Sequence, residues 1–437
     1  MHQVPNTWNY VRLGNIFSHN TGKALNSANK DGKLLTYITT SNVYWNRLEL
    51  DHLKEMRFTD SEIEKYTAYK GDLLVCEGGD IGRAAIWTKD EPIRIQNHIH
   101  RLRPYYNVNV MFYYYIFYYY KIIGLINGNG IGLQGLSSNK LDAIIVPILS
   151  IKEQNRIIDE LNKTFNCSDK IEDEKKKLSS IVSLTKSKIL DLAIRGKLVP
   201  QNPDDEPAAV LLQRIRAEKE GLIKQGKIKR DKKESVIYKG DDNSYYEKFV
   251  NGTVKNISDE IPFSIPDNWI WCRGYSCFTG MESLKPSGEF FDYLDIESID
   301  NKLHQIRYSK HLLTGNAPSR ANRAVKNGSV LFSLVRPYLE NIAFVDSEYS
   351  HCIASTGFYV CNSNGLFLPE FMFYLMISKY VIDGLNQFMK GDNSPSITTG
   401  NIEKWLYPVP PIAEQKIICN KVENALLKVN NIDKRLN

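Results

Sequence analysis

The chain has 437 residues, of which 42% are hydrophobic and 24% charged, with 27 Gly and 17 Pro. This composition is that of an ordinary globular protein and excludes a collagen-like, disordered or disulfide-dense chain, and the length predicts two or three domains. The formal net charge is only +6, from 56 Lys+Arg against 50 Asp+Glu, so the total charge is a weak argument for a nucleic-acid partner.

The seven cysteines are scattered, and they form neither a C-x-x-C pair nor a spacing with histidine that suits zinc. Scattered thiols are typical of a reducing compartment, and the first residues have neither the basic flank nor the apolar stretch of a signal peptide. The aromatic segment 108–126 includes Lys121 and several tyrosines, so it fails the requirement for about 20 apolar residues in a membrane span. We therefore expect a soluble, cytoplasmic protein that binds no membrane.

The sequence repeats itself at an offset of 261 residues. Residues 4–12 (VPNTWNYVR) resemble residues 265–273 (IPDNWIWCR), and residues 146–154 (VPILSIKEQ) resemble residues 407–415 (YPVPPIAEQ). Two separated segments that share one offset predict two domains of one fold. Between these segments the copies agree in pattern more than in letters, which favours a common scaffold with two different recognition surfaces.

A long helix is predicted to follow the first copy. Residues 151–192 contain neither Pro nor Gly, and apolar side chains recur there at helical spacing. Ser150 followed by Glu153 has the pattern of a capping box, and Gly196 predicts the end of the helix. About 40 residues at 1.5 Å each make a rod of roughly 60 Å. Such a rod needs a partner for its apolar stripe, and the helix predicted to begin at Pro411 supplies one.

The segment between the long helix and the second copy has a different character. Asp205-Glu206-Pro207 has the pattern of a helix start, and the helix is predicted to run through about Lys224. The chain from there to Lys233 is rich in Lys and Arg, and the rest of the segment is polar and rich in turn residues. This composition predicts a short helix followed by a basic, polar linker.

No motif in the sequence indicates catalysis. Residues 130–135 match the phosphate-binding pattern G-x-G-x-x-G, but Ser137-Ser138-Asn139 follow instead of a helix, so a flexible turn or a DNA-facing loop is favoured over a nucleotide site. The amino-methyltransferase motif Asn-Pro-Pro-aromatic, the P-loop, H-E-x-x-H and G-x-S-x-G are absent from the sequence, and the eight histidines are isolated. We therefore assign no catalytic residue and no metal ligand.

Local charge indicates a nucleic-acid partner more strongly than the total charge does. Residues 301–339 contain seven Lys/Arg and no acid, and residues 92–141 contain five and no acid. Basic patches neutralise phosphates, and neighbouring Ser, Thr and Asn side chains reach base edges; a solubilising face explains the same charge equally well. The candidate DNA-binding residues are Lys23, Thr39, Thr40, Ser41, Asn42, Arg83, Arg94, Asn97 and Arg101 in the first copy, and Lys302, Arg307, Arg320, Arg323, Lys326, Arg336, Ser355, Thr356 and Asn393 in the second.

The tyrosine-rich run 113–120 admits two interpretations, a base-stacking platform or a core helix. Its counterpart in the second copy, residues 371–376, is apolar, which favours the core helix. Trp8 and Trp269 each follow a proline at the start of a copy, and we interpret both as packing anchors.

These features together resemble the specificity subunits of Type I restriction–modification systems. The resemblance covers essentially the whole chain and rests on the Pro-x-x-Trp openings at 5–8 and 266–269, the Glu-Gln helix starts at 153–154 and 414–415, and residues 195–201 (RGKLVPQ) followed by 206–208 (EPA). It implies an α+β fold in which two similar target-recognition domains are separated by two long antiparallel helices, with a pseudo-two-fold repeat. The implied domains are 1–150 and 261–410, with spacer helices at 151–196 and 411–437 and the short helix and linker at 197–260.

The resemblance also implies a function. A specificity subunit reads a bipartite double-stranded DNA target, one half-site per domain, and docks modification (methyltransferase) subunits, expected to number two, and restriction subunits. Those partners are expected to bind S-adenosylmethionine, ATP and Mg, so we expect no cofactor on this chain and no catalysis by it. The expected subunit-docking residues lie on the two spacer helices: Glu153, Gln154, Ile157, Leu161, Glu414, Gln415, Ile418 and Val422.

Two other functions stay open at the level of sequence. A self-contained DNA methyltransferase or nuclease would need an active site that matches none of the motifs above. A scaffold that binds only proteins would leave the basic stretches without a ligand. The chain also departs from longer family members after its last helix, where no second Gly-Lys-Leu-Val occurs.

Overall fold

The computed structural model describes residues 5–25, 30–45, 47–126, 135–228 and 233–436. The chain divides into two compact units, Met1–Asp173 and Glu174–Asn437, which we call unit 1 and unit 2. In the described ranges, no helix is both long enough and apolar enough to cross a membrane. Most of the G-x-G-x-x-G pattern, residues 130–134, lies outside the described residues.

Unit 1 is a mixed α/β unit with short strands. Its strands are β1 (Asn9–Arg12), β2 (Phe17–Thr21), β3 (Lys33–Ile38), β4 (Val43–Tyr44), β5 (Arg47–Leu48), β6 (Lys54–Phe58), β7 (Thr67–Ala68), β8 (Leu73–Cys76), β9 (Ala84–Ile86), β10 (Ile93–Ile95), β11 (Ile99–Pro104) and β12 (Ile145–Ile148). Its helices are α1 (Asp60–Tyr66), α2 (Val110–Ile122), α3 (Ser138–Asp142) and the first half of α4 (Ile151–Ile194), with 3-10 turns at Leu13–Asn15 and Thr40–Asn42.

Unit 2 contains the end of α4 and the remaining elements. Its strands are β13 (Ser235–Lys239), β14 (Tyr245–Phe249), β15 (Val254–Asn256), β16 (Ile270–Arg273), β17 (Phe290–Leu294), β18 (Ile299–Asp300), β19 (Gln305–Ile306), β20 (Lys310–Leu313), β21 (Ala321–Ala324), β22 (Val330–Ser333), β23 (Ile342–Phe344), β24 (Ile353–Ser355), β25 (Phe358–Cys361) and β26 (Leu406–Val409). Its further helices are α5 (Ala208–Lys224), α6 (Gly274–Cys277), α7 (Pro369–Met376), α8 (Lys379–Asn386), α9 (Thr399–Lys404) and α10 (Ile412–Leu436), with 3-10 turns at Ser258–Glu260, Ile296–Ser298, Thr314–Asn316 and Pro337–Leu339.

The predicted internal repeat is confirmed at the level of strand register. β1 pairs with β12 so that Asn9 lies opposite Ile148, and β16 pairs with β26 so that Ile270 lies opposite Val409. Both members of the second pair are displaced from the first by 261 residues. The four-stranded order β6-β3-β10-β7 of unit 1 also recurs as β20-β17-β24-β21 in unit 2, with parallel pairing of the two central strands in each.

The tyrosine-rich run forms a core helix, as predicted. It lies within α2, where Phe112, Tyr113, Tyr114 and Phe117 are buried. The helix α7 has the same place in unit 2 and is likewise buried through its apolar residues. The run therefore packs into the core through one face of α2, while Tyr118 and Tyr119 are exposed on the other side.

Both opening tryptophans anchor their units. A turn precedes each one, with Trp8 N–H donating to Pro5 O at 2.9 Å and Trp269 N–H donating to Pro266 O at 3.0 Å. The Trp8 ring packs edge-on against Phe112 in the unit 1 core, and Trp269 belongs to the main core of unit 2. The prediction that these residues are packing anchors is confirmed.

The long helix α4 has 44 residues, which corresponds to about 66 Å at 1.5 Å per residue. It ends as the sequence predicts, because Gly196 has φ of +66° and Lys197 N–H donates to Leu192 O at 2.9 Å, the left-handed cap that favours glycine. In unit 2, Lys186 Nζ lies 2.7 Å from Asp433 Oδ2, so a position about two turns before the end of α4 meets the end of α10. The two helices therefore run antiparallel there.

The segment predicted to be a polar linker contains a small folded sheet. Strands β13, β14 and β15 form an antiparallel sheet in that order. The buried Glu247 carboxylate of β14 accepts hydrogen bonds from Ser235 Oγ at 2.5 Å, Tyr275 Oη at 2.8 Å and Arg273 Nη2 at 2.8 Å. Polar, turn-rich composition suits a small surface sheet as well as a linker, so the linker interpretation was wrong for residues 235–256.

Candidate nucleic-acid interface

In unit 1 the candidate residues Thr39 to Asn42 form a tight polar turn directly after β3. Asn42 Oδ1 accepts from Thr39 N–H at 2.9 Å, and Asn42 Nδ2 donates to Glu49 O at 2.8 Å. Arg83 approaches from another loop, where its Nη2 donates to Thr40 O at 2.6 Å and its guanidinium lies 4.8 Å from the Tyr44 ring centre. The structure thus brings the Thr39–Asn42 turn and Arg83 together, as separate sequence positions could not show.

A second loop of unit 1 lies beside this turn. The turn between β8 and β9 begins at Glu77, whose N–H donates to His98 O at 2.9 Å and whose O accepts from Leu136 N–H at 2.9 Å. Next to His98, Asn97 N–H donates to Lys23 O at 2.9 Å. Asn97 therefore lies on the same edge as the β8–β9 turn that carries Arg83.

Unit 2 builds the corresponding edge from different side chains. Leu334 N–H donates to Gly357 O at 2.8 Å, and Leu334 O accepts from Ile397 N–H at 2.9 Å, which repeats the pattern of Glu77, His98 and Leu136 in unit 1. Two short links gather the candidates here: Thr356 N–H donates to Arg320 O at 2.8 Å, and Arg336 Nη2 donates to Asn393 O at 2.9 Å. Arg320, Thr356, Arg336 and Asn393 are therefore neighbours along one edge of unit 2.

Two basic candidates, Lys23 and Arg101, are buried inside unit 1, so their prediction as DNA-binding residues is wrong. Lys23 is only 7% exposed, and its Nζ donates to Glu62 Oε2 at 2.6 Å and to Arg57 O at 2.7 Å. The Lys23 ammonium holds the pKa of the Glu62 carboxyl below its ordinary value. Arg101 is also buried, with its Nη1 donating to Thr67 O at 2.8 Å. Both side chains satisfy buried groups of the fold, so a phosphate contact is not expected from either.

The remaining candidates differ in how much of their charge is free. Arg94 is half-buried and donates to Thr36 O at 3.2 Å, and Ser355 is buried with its Oγ accepting from Gly357 N–H at 3.1 Å. Arg307 is exposed but pairs with Asp300 at 3.0 Å. Lys302, Arg320 and Lys326 are exposed, and Arg323 is half-buried; in the described ranges no carboxylate lies within ion-pair distance of these four.

The structure contains a histidine pair that the sequence does not indicate, in which His100 is buried and His19 is half-buried. His19 Nε2 lies 2.8 Å from His100 Nδ1, and His100 Nε2 lies 2.6 Å from Leu136 O. Burial lowers the pKa of both imidazoles below the ordinary value, with Asp142 opposing this for His19. The two histidines are 81 positions apart in sequence, and only the pairing of β2 with β11 brings them together. Within the described residues, no group of three or more His, Cys, Asp and Glu side chains is arranged to hold a metal ion.

Comparison with known proteins identifies this architecture. Residues 5–180 match the family model described as the Type I restriction modification DNA specificity domain. The resemblance seen in the sequence is confirmed for these residues, which include most of unit 1 and about two further turns of α4, residues 174–180.

Individual relatives agree with this assignment. The chain is 27% identical over 267 residues to the Type I restriction enzyme EcoAI specificity subunit of Escherichia coli, which covers 57% of this chain and 41% of the relative. It is 28% identical over 236 residues to the EcoBI specificity subunit of the same species, covering 49% of each. The matched part thus spans less than half the length of these curated relatives.

Among solved structures, the chain is similar to the HsdS subunit from Thermoanaerobacter tengcongensis. The identity is 35%, and the match covers 40% of this chain and 46% of that one, with a TM-score of 0.37. The repeat of the two copies is shown by this chain's own strand register.

The Glu-Gln pairs that begin both spacer helices have a structural task. Gln154 Oε1 accepts from Asn109 N–H at 2.8 Å, and Gln415 Oε1 accepts from Leu368 N–H at 2.7 Å. Asn109 and Leu368 are the residues that precede α2 and α7, so each glutamine satisfies a backbone group at the start of a core helix. Their burial corrects the expectation that these two glutamines face a docked subunit.

Other expected docking residues are also turned into their own units. Glu414 is 1% exposed, and Ile418 and Val422 are fully buried in the unit 2 core; Ile157 and Leu161 are partly buried against the unit 1 core. Of the expected set, Glu153 is half-buried and belongs to neither core. Its carboxylate pairs with Arg156 at 3.5 Å. The apolar side chains that α4 leaves exposed are instead Phe165, Ile171, Leu178, Ile181 and Leu184.

Proposed function

We propose that this chain is the DNA-recognition subunit of a Type I restriction–modification complex and that each unit reads one half of a bipartite target. One observation carries the proposal: unit 1 falls in the DNA specificity family, and unit 2 repeats its strand pairs at a constant offset of 261 residues. A second module of the same build implies a second half-site. Linking two modest binding sites raises the effective concentration of the second once the first is bound.

The chemistry of the two edges supports this proposal. In each unit, short Ser, Thr and Asn side chains lie beside arginine: Thr39, Thr40, Ser41, Asn42 and Arg83 in unit 1, and Arg320, Thr356, Arg336 and Asn393 in unit 2. Arginine contacts phosphates and guanines, and hydroxyl and amide groups contact both phosphates and base edges. The two edges share a backbone pattern but not their side chains, as two different half-sites require.

We further propose that this subunit performs no catalysis and works with partners in the cytoplasm. The partners would be modification subunits, two in number, and restriction subunits; S-adenosylmethionine, ATP and Mg would be bound there. The exposed apolar residues of α4 in unit 2, Leu178, Ile181 and Leu184, supply the chemistry for partner docking, because buried positions such as Ile418 cannot.

The test is to map methylated sites in DNA treated with the complex of this chain and its modification partner. The expected result is one bipartite motif with a spacer of fixed length. Replacement of residues 261–410 with the matching domain of another specificity subunit should change one half of that motif and leave the other half as it was. A motif without two halves, or methylation that does not depend on this chain, would contradict the proposal.

A further inference from the structure

Left-handed backbone outside glycine is concentrated at one turn of unit 2. In the described part of the chain, the residues other than glycine with positive φ are His52, Asn243, His304, Arg336 and Glu340. The last three form one group, because Arg336 and Glu340 flank the 3-10 turn Pro337–Leu339 and Glu340 Oε2 lies 3.9 Å from His304 Nε2. Side chains make this backbone conformation costly, and it persists where neighbouring groups hold it, often at functional sites.

The equivalent loop of unit 1 has glycine at its two left-handed positions and is one residue shorter. The loop joins β8 to β9 in unit 1 and β22 to β23 in unit 2. Gly79 and Gly82 have φ of 72° and 82°, whereas Arg336 and Glu340 have 48° and 57°. Glycine adopts this conformation without strain. A loop at this place can thus be built with glycine, and in unit 2 the two side chains make contacts that offset the strain of the left-handed backbone.

Those contacts fix both ends of the turn. Arg336 N–H donates to Pro395 O at 2.7 Å, and its guanidinium Nη2 donates to Asn393 O at 2.9 Å. At the other end, Glu340 Oε1 accepts from Lys379 Nζ at 2.6 Å. The turn is thus tied by side chains to two segments that are distant in sequence.

The middle of the turn is also fixed by contacts with the rest of unit 2. Pro337 is buried, and Leu339 O accepts from Asn301 Nδ2 at 2.8 Å. Leu339 N–H donates to Arg336 O at 2.9 Å, which closes the 3-10 turn. These hydrogen bonds to the backbone of Arg336 and Leu339 hold the turn in one conformation.

This turn exposes one aromatic and one aliphatic side chain to solvent. Tyr338 is 46% exposed and Leu339 is 39% exposed. They lie next to Arg336, on the edge where Leu334 N–H bonds Gly357 O beside Thr356. The corresponding turn of unit 1 has Asp80 and Ile81 between its glycines, so the two units present different chemistry at the same place.

We propose that Tyr338, with Leu339 beside it, is the base-reading contact of unit 2, an inference that rests on the proposed DNA-recognition function. The phenol hydroxyl can both donate to and accept from a base edge, and the leucine side chain suits an apolar contact such as a thymine methyl group. Because the backbone of the turn is already fixed, binding need order only the side-chain torsions of Tyr338. Arg336 and Glu340 act as positioning residues, because they hold the turn that carries Tyr338.

The test uses the complete complex with its modification partner and maps methylated sites by sequencing. Tyr338→Ala should relax base preference at one or more positions of the unit 2 half-site by about 10-fold or more, while the other half-site keeps its sequence. Tyr338→Phe keeps the ring and isolates the contribution of the hydroxyl. Tyr238→Ala is the matched control, because Tyr238 is 43% exposed and lies on β13, away from the turn; it should leave both half-sites unchanged.

A third variant, Arg336→Gly, tests the positioning role. Glycine relieves the left-handed strain, so the midpoint of thermal unfolding should stay the same or rise, whereas discrimination at the unit 2 half-site should fall because the tie to Asn393 is lost. Unchanged half-site preference in Tyr338→Ala, with normal unfolding and a bipartite wild-type motif, would overturn the inference and leave the proposed function standing. A wild-type complex without a bipartite motif would overturn the proposed function itself.

Discussion

The indole N–H of Trp269 donates to Glu414 Oε2 at 2.8 Å, which joins the opening of the second copy to the first turn of α10. Gln201 Nε2 donates to the other oxygen of the same carboxylate at 2.6 Å. Burial raises the pKa of Glu414 above the ordinary value, against the lowering effect of these two donors. One carboxylate therefore connects the opening turn, the segment after α4 and the second spacer helix within unit 2.

Glu414→Ala should lower the free energy of unfolding by about 1–3 kcal/mol, because it leaves the buried Trp269 indole without an acceptor. Glu153, 261 positions earlier, is the matched control. It is less buried and pairs only with Arg156 at 3.5 Å, so Glu153→Ala should cost less than about 0.5 kcal/mol. Denaturant unfolding of both variants is the measurement, and equal losses would show that the Trp269–Glu414 bond is not the cause.

Stability should fall on acidification through the His19–His100 pair. Because burial lowers the pKa of both imidazoles in the folded state, the unfolded chain binds more protons below pH 6.5 and the folded state loses stability as the pH falls through that region. Thermal unfolding measured at pH 7.5 and 5.5 should show a larger fall for the wild type than for His100→Gln. An identical fall in the two proteins would exclude the pair as the source.

The free charges of unit 2 should be visible in the salt dependence of DNA binding. Arg320→Ala and Lys326→Ala each remove an exposed cation that has no ion-pair partner among the described residues. Each lost phosphate contact should reduce the slope of log K against log salt by about 0.9, measured by mobility shift with the partner subunit present. Lys23→Met is the control, because it breaks a buried ion pair with Glu62 and should reduce stability without changing that slope. Unchanged slopes in both surface variants would remove Arg320 and Lys326 from the DNA interface.

The exposed apolar residues of α4 give a prediction about partner binding. Leu184 is 70% exposed, so Leu184→Glu should change the free energy of unfolding by less than about 0.5 kcal/mol yet weaken association with the modification subunit. Ile418→Ala should do the reverse, with a loss of about 2–5 kcal/mol in stability, since Ile418 is fully buried in the unit 2 core. Binding titration and unfolding of both proteins separate docking from packing; full binding by Leu184→Glu would argue against this face of α4.

The sequence predicts the repeat, the long helix and its end at Gly196 because these features depend on local pattern and on a constant offset. It could not predict that Lys23 is buried, since its partner Glu62 lies 39 positions away and only tertiary structure brings them together. The Glu-Gln motif shows the same limit. The motif correctly marked the helix starts, but the task of Gln154 depends on Asn109, which no spacing rule connects to it.

The strained turn at Arg336 lay beyond the sequence for a different reason. Arginine ordinarily avoids the left-handed region. The local sequence therefore predicts a positive charge at this position and no unusual backbone conformation. The comparison that reveals it is with Gly79 of unit 1, and that comparison requires the strand pairs on both sides of the turn. The sequence therefore shows the charge of this basic stretch, whereas the left-handed backbone at Arg336 is visible only in the structure.

The pairing of the strands that open and close each copy of the repeat has a consequence for how such proteins can change. Because β1 lies antiparallel to β12 over four residue pairs, and β16 to β26 in the same register, the chain enters and leaves each copy at one place. The direction in which the outgoing helix starts is set by those pairs and by the glutamine at the fourth position of the helix. The loops and surface side chains between these strands can therefore change while the attachment points of each copy stay fixed.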